Sequence, residues 1–272
     1  MGLRVNTNIA SMTAQRNLAG VSSRLSGNFS RLSSGLRIAT AADDAAGLGI
    51  SERMRAQVRS LGTAWRNAQD GVSLTQTAEG SLQEVSNNLN RMRELAVQSA
   101  NGTLSAGDRT TLDSEFQELS AEIDRIANQV TFNGINLLDG SSATIDIQVG
   151  ANATETITVT MADATAATLG IGTLDVTSVA NANTALAALD TAIDTVSTSR
   201  GVLGAGQNRM QSAIESIATA RENLAAAESR IRDVDVAFET ADMTRNSILQ
   251  QAAVSVLSQA NTQPQLALSL LR

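Results

Sequence analysis

The chain of 272 residues contains no cysteine, histidine, lysine or tyrosine, and only one proline and one tryptophan. Each absence closes a class of chemistry. Without cysteine there is neither a disulfide nor a thiol nucleophile, a condition met by proteins of a reducing interior and by extracellular proteins stabilised by assembly. Without histidine the usual proton shuttle and the commonest nitrogen ligand for metals are missing, and without lysine there is no Schiff-base amine. Carboxylates and serines remain, but acid–base and nucleophilic catalysis draws mostly on the missing types, so the composition points away from an enzyme and from any cofactor. The adjacent carboxylates Asp43-Asp44 have no third ligand near them in sequence and read as helix-capping and linker residues, not as a metal pair.

Aromatic residues make up only 2% of the chain. A monomer so poor in large side chains has a thin core, which makes burial against further copies of itself the expected use of its apolar stripes. The net charge of −7 argues against a nucleic-acid binder, whose phosphate contacts favour a basic patch with stacking aromatics. No stretch of 18 apolar residues is present, and Met1-Gly2-Leu3-Arg4-Val5-Asn6 leads into no apolar run with a cleavage site. Neither a membrane span nor a cleaved secretory signal is expected.

What is present is helical periodicity. Leu186, Leu189, Ile193, Val196, Arg200, Leu203, Gln207, Met210, Ile214, Ile217, Arg221, Leu224, Glu228 and Ile231 step 3, 4, 3, 4 without a break, the spacing of helices packed along their length. The series continues through Val234, Phe238, Ala241, Arg245, Ile248 and Ala252 towards Pro264. Its polar members imply a mixed bundle, with some positions at subunit contacts or in solvent.

The N-terminal half carries one stripe at Leu18, Val21, Leu25, Phe29 and Leu32 and a second from Met54 to Thr75. The second resumes one residue early at Ala78, Leu82, Val85, Leu89, Met92 and Ala96, a slip that locally overwinds a supercoil. A third, Leu112, Phe116, Leu119, Ile123 and Ile126, follows the Asn101-Gly102 break. These spacings predict helices over about 9–33 and 48–100, with Asp43 or Asp44 capping the latter. Ile145, Ile147 and Val149 alternate with polar residues, as do Ile157, Val159 and Met161, which predicts a β-hairpin at about 143–161. Asn133-Gly134 marks a turn, and the small, polar residues 162–183 read as loop. The fold class is mainly α: a long coiled-coil-like helical bundle with a small β-hairpin and paired N- and C-termini.

Several segments, in order, carry a family resemblance. Arg31-Leu32-Ser33-Ser34-Gly35-Leu36-Arg37-Ile38 followed by Asp43-Asp44-Ala45-Ala46-Gly47 resembles the N-terminal motif of bacterial flagellins. So do Arg93-Glu94-Leu95-Ala96-Val97-Gln98-Ser99-Ala100-Asn101 and Thr131-Phe132-Asn133-Gly134. At the far end, Ile248-Leu249-Gln250-Gln251-Ala252, Gln259-Ala260-Asn261 and Leu268-Ser269-Leu270-Leu271-Arg272 complete the match, so that it covers about 1–160 and 185–272. Ala42 departs from it, since relatives often carry lysine there.

The resemblance implies a structural subunit that self-polymerises into the helical filament of the bacterial flagellum, outside the cell and in the service of motility. The alternative is a hook–filament junction protein of the same export class. A flagellin-like protease would need a His-Glu-x-x-His zinc helix, which a chain without histidine cannot supply. The implied organisation is an inner coiled-coil domain from 1–44 and 228–272 with a linker at about 33–47 that holds Asp43 and Asp44. An outer helical domain is formed by 45–180 and 181–227, and large variable domains are absent. Self-assembly contacts are expected at Leu18, Val21, Leu25, Phe29, Leu32, Ile231, Val234, Phe238, Ile248, Leu268, Leu270 and Leu271. The implied partners are other copies of the chain, a filament cap protein, a hook–filament junction protein, an export chaperone at the C-terminal end and the flagellar type III export apparatus. Arg91, Leu95 and Glu115 match positions engaged by the vertebrate receptor for flagellin, although Asn90 stands where many recognised flagellins carry glutamine. The Ser/Thr-rich stretch 154–184 is a candidate for O-glycosylation.

Overall fold

The computed structural model describes residues 7–269, and for 264–269 the helical backbone alone. Five helices and two small hairpins follow one another. The helices α1 (Ile9–Ser34), α2 (Ala45–Ser99) and α3 (Ala106–Gln129) precede the hairpins β1 (Thr131–Phe132)–β2 (Ile135–Asn136) and β3 (Thr144–Gln148)–β4 (Thr156–Thr160). The long helices α4 (Val179–Arg232) and α5 (Val236–Ser269) complete the chain.

Helix ends are set by local chemistry. The Asn8 side chain accepts a hydrogen bond from the Ser11 N–H at the start of α1, and Gly35 ends that helix in the left-handed conformation, with φ 71°. Asp44 is the cap of α2: one of its carboxylate oxygens accepts from the N–H groups of Ala46 and Gly47. Ser105 and Asp108 form a reciprocal capping box on α3, and the Ser105 hydroxyl holds the Asp108 carboxyl below its ordinary range. Asp235 accepts from the Ala237 and Phe238 N–H groups at the start of α5. Asn133 and Gly134 both have positive φ, 48° and 80°, the backbone that a two-residue hairpin between β1 and β2 needs.

The chain divides into two compact units, Met1–Ala56 with Asn223–Arg272 and Gln57–Glu222. The main hydrophobic core belongs to the second. There α2 buries Ala78, Leu82, Val85, Leu89, Met92 and Ala96, the stripe read from the sequence, against Phe116 and Ile123 of α3 and Leu189, Val196, Leu203 and Met210 of α4. The β3–β4 hairpin pairs Ile145 with Val159 and Ile147 with Ile157, and this face packs on the same core. Gly71 makes room for it: a Cβ there would lie 2.6 Å from Met210 Sδ and 3.1 Å from Ile147 Cγ1. The glycines Gly201, Gly204 and Gly206 lie inside an unbroken α4, and Gly206 is buried facing Val159.

Residues 162–178 are irregular, as expected, but they are not a surface loop. Ala164, Ala166, Leu169, Ile171 and Val176 are buried. Their backbone is held by α3: Asp124 accepts from the Ala166 N–H at 2.7 Å, Asp113 accepts from the Val176 N–H at 2.9 Å, and Gln117 donates to the Leu174 carbonyl at 2.8 Å. Side chains of one helix thus stand in for the ladder partners that a buried irregular segment lacks.

Candidate self-assembly surface

In the first unit α1 and α5 run antiparallel and pack along their length. The Asn8 side chain donates to the Ala260 carbonyl at 2.8 Å, and the Ser11 hydroxyl donates to Asn261 at the same distance. The inward positions of α1 are Ser11, Ala14, Leu18, Val21, Leu25, Asn28 and Leu32, all buried or half-buried and spaced 3, 4, 3, 4, 3, 4. This is the predicted stripe except for Phe29, which lies one residue past the seam and is 57% exposed.

On α5 the structure corrects the expected phase. Glu239, Met243, Asn246, Gln250, Ala253, Leu257 and Ala260 are buried or half-buried and step at heptad spacing, with Thr240, Asp242 and Ser247 half-buried on the flanks of that row. The expected series Phe238, Ala241, Arg245, Ile248 and Ala252 points away from α1, with Phe238 and Ile248 among the most exposed large apolar side chains. The physical reason is a buried polar network. Asn28 donates to Glu239 Oε1 at 2.7 Å and accepts from Asn246 Nδ2 at 2.9 Å, and all three are at least 95% buried. Arg31 stands 3.8 Å from both Glu239 and Asp43 and supplies a counter-charge to the carboxylate. A buried carboxylate and two amides are tolerated because each is paired. Hydrophobic periodicity carries no signal for such a network; the three residues at 28, 239 and 246, all polar and on heptad steps, were the trace it left in the sequence.

The result is a subunit whose terminal helices also carry large apolar side chains on their outward faces. Of the exposed large apolar residues, Ile9, Met12, Phe29 and Ile50 lie in the N-terminal part of the first unit. Val236, Phe238, Ile248, Leu249, Val254 and Val256 lie in its C-terminal part. The second, larger unit exposes only four among the described residues: Val97, Ile135, Val179 and Val202. Of the other positions expected to assemble, Val21 is buried in the seam, while Leu18, Leu25, Leu32, Ile231 and Val234 are half-buried. The side chain of Leu268, and the whole of Leu270 and Leu271, lie outside the described residues.

Between α1 and α2 the chain pairs with the junction of α4 and α5. The Val234 N–H donates to the Gly35 carbonyl at 3.0 Å, the Arg37 N–H donates to the Arg232 carbonyl at 2.7 Å, and Ile38 is 2% exposed beneath them. Arg232 also reaches Glu52 of α2 at 2.7 Å, and that hydrogen bond holds the Glu52 carboxyl below its ordinary range. Asp43 accepts from the N–H groups of Thr40 and Ala39 and from the Thr40 hydroxyl; these bonds, led by the Thr40 N–H, lower its pKa.

In the second unit Arg91 and Glu115 face each other across α2 and α3. The guanidinium donates twice to Glu115 Oε1, at 2.8 and 3.0 Å, and once to Glu94, and these hydrogen bonds raise its pKa further. Both side chains are exposed. Leu95 is not beside them on the surface: it is 1% exposed and belongs to the core. Arg93 makes a similar exposed pair with Asp190 of α4 at 2.7 Å. Among the described residues no cluster of three potential metal ligands occurs, and no helix is long and apolar enough to cross a membrane.

Comparison with known proteins gives a consistent answer. A family model for the bacterial flagellin N-terminal helical region matches residues 5–143, and one for the bacterial flagellin C-terminal helical region matches 186–271. The chain is 49% identical over 270 residues to a flagellin of Halalkalibacterium halodurans, covering 98% of this chain and 99% of that one. It is 46% identical over 304 residues to a flagellin of Bacillus subtilis, covering 99% and 100%. Identity to the flagellar filament 33 kDa core protein of Treponema phagedenis is 44% over 284 residues, covering 98% and 99%. The crystal structure of Bacillus cereus flagellin is similar at 37% identity and a TM-score of 0.52, covering 60% of this chain and 94% of that one. A putative flagellar hook-associated protein from Vibrio parahaemolyticus shares the fold alone, at 15% identity and a TM-score of 0.59, covering 70% of this chain and 100% of that one.

Proposed function

The chain belongs to the bacterial flagellin family, and from that premise we propose that the outward apolar face of its terminal helices is the surface by which copies join. Its function is structural: it is a subunit of the bacterial flagellar filament, serving motility. The observation that carries the assembly reading is the uneven distribution of exposed apolar side chains, concentrated on the smaller of the two units. A folded subunit working alone leaves such a face in water at a cost, whereas a polymer buries it on every copy.

On this reading the unit that contains α1 and α5 forms the inner part of the filament, and the unit that contains α3 and the hairpins forms the outer part. The polymer works outside the cell, reached through the flagellar type III export apparatus. The uncovered stripe at Phe238 and Ile248 suits a chaperone at the C-terminal end before assembly, and the filament cap and the hook–filament junction protein are the remaining partners. Arg91 and Glu115 are offered to a vertebrate flagellin receptor as an exposed pair, with Leu95 supporting them from beneath. Electron microscopy of the purified, reassembled protein tests the central claim. Long filaments formed by the chain alone support it, and a protein that stays monomeric at high concentration in the presence of filament seeds overturns it.

A further inference from the structure

All the sulfur in this chain is thioether: seven methionines and no cysteine. Met92, Met161 and Met210 are buried in the second unit, and Met54 and Met243 are half-buried. Met12 differs, with 59% of its surface exposed. It follows the seam residue Ser11 by one position and so lies on the outward side of α1, one helical turn from Ile9, which is 57% exposed. Methionine oxidation tracks exposure, and the sulfoxide it produces is polar, a strong hydrogen-bond acceptor and no longer suited to an apolar contact.

We propose that Met12 is an oxidation-sensitive contact of the assembly surface. Its conversion to the sulfoxide by a hydroperoxide weakens the joining of the subunit to another copy, and reduction restores it. This rests on the filament-subunit reading above. In the step, the sulfur attacks the distal oxygen of the peroxide, an S–O bond forms as the O–O bond breaks, and the thioether gives up two electrons. The proton of the transferred hydroxyl passes through solvent to the departing oxygen, which leaves as water from hydrogen peroxide or as an alcohol from an organic hydroperoxide. Beside Ile9, a sulfoxide oxygen carried into an apolar contact gives up its water partners, a cost that the thioether does not carry. The contact is then worse than an empty one.

The experiment uses the full chain as purified subunit, treated with dilute hydrogen peroxide, mapped by peptide mass spectrometry and assayed for its critical concentration of polymerisation by sedimentation. Oxidation at Met12 is expected to raise that concentration about tenfold or more, and methionine sulfoxide reductase is expected to return it to the starting value. The critical concentration of Met12→Leu, whatever its untreated value, should not rise after peroxide, while Met12→Gln should polymerise poorly without any oxidant. The proposal is overturned if protein oxidised at Met12 polymerises at the untreated concentration, or if Met12→Leu loses assembly to peroxide as the unsubstituted chain does. Should Met12→Leu not polymerise at all, the reductase arm decides: recovery that tracks reversion at Met12 supports the proposal, and lost assembly that survives full reversion refutes it. Failure of the untreated, unsubstituted chain to form filaments would instead refute the filament reading itself.

Discussion

Replacing Phe238 and Ile248 together by serine separates folding from assembly. Both side chains point away from α1 and are 70% and 61% exposed, so the folded subunit loses little when they are cut back. Serine, phenylalanine and isoleucine have nearly equal helix propensities, so α5 itself should be unaffected. In a polymer the account differs. Burying a large apolar side chain contributes about 1.5–3 kcal/mol, and with roughly two-thirds of each side chain still to be buried the share per residue is about 1–2 kcal/mol. The pair therefore removes about 2–4 kcal/mol from every addition step. At 1.4 kcal/mol per factor of ten, the critical concentration should rise about 30- to 700-fold. Sedimentation after seeded polymerisation measures that concentration, and circular dichroism with thermal melting of the unpolymerised protein checks that the fold is intact. An unchanged critical concentration would refute the assignment of this face to assembly. A large drop in melting temperature of the subunit would refute the claim that these side chains are idle before assembly.

Three further outcomes follow from particular contacts. Gly71→Val should destabilise the second unit by about 1–3 kcal/mol, read by urea unfolding, because even the Cβ would press on Met210 and Ile147. Thr154→Gly should stabilise the β3–β4 turn by about 1 kcal/mol, read by thermal melting, because Thr154 holds a φ of 81° that β-branched residues disfavour. The hydrogen bond from Arg93 holds Asp190 below its ordinary pKa of 3.8. A folded-state pKa lower than the unfolded one gives a contribution that is full above about pH 4 and fades as pH falls through the folded value. Acid titration of unfolding should therefore show a shallower loss of stability in Asp190→Asn than in the unsubstituted chain, and identical acid limbs would count against the pair.

How far the sequence could be read depended on what each element packs against. The stripe from Ala78 to Ala96 was legible because its partners, Phe116, Ile123 and Leu189 among them, are apolar and the whole contact obeys one period. The β3–β4 hairpin was legible for a similar reason: its alternating residues have one apolar floor. Residues 162–178 could be called irregular but not buried, since their burial depends on Asp113, Gln117 and Asp124, more than 40 residues earlier in the chain. Leu95 was legible as a family position, yet it lies inside the core beside the predicted α2 stripe, one residue before Ala96 and three after Met92.

The phase of α5 is the most instructive difference, because hydrophobic area alone favours the wrong face. Were Phe238 and Ile248 turned onto α1, the helix pair would bury more carbon, but the subunit would then present Gln250, Ala253 and Ala260 to its surroundings and have little left with which to join a neighbour. It would also strand Asn28 in an apolar seam without Glu239 and Asn246, and an unsatisfied buried amide costs about 1–3 kcal/mol. That penalty is comparable to the burial of one large side chain, about 1.5–3 kcal/mol, so a single polar residue on α1 is enough to offset much of the hydrophobic preference on α5. The small seam residues Ser11, Ala14, Ala253 and Ala260 act in the same direction, since near the far end of the pair they add close approach and hydrogen bonds to the contact made by Leu18, Val21 and Leu25. A weak inner seam and a strong outer face thus come from one choice of residues: the polar network specifies which side of α5 faces inward, and the apolar area it displaces is what remains for assembly.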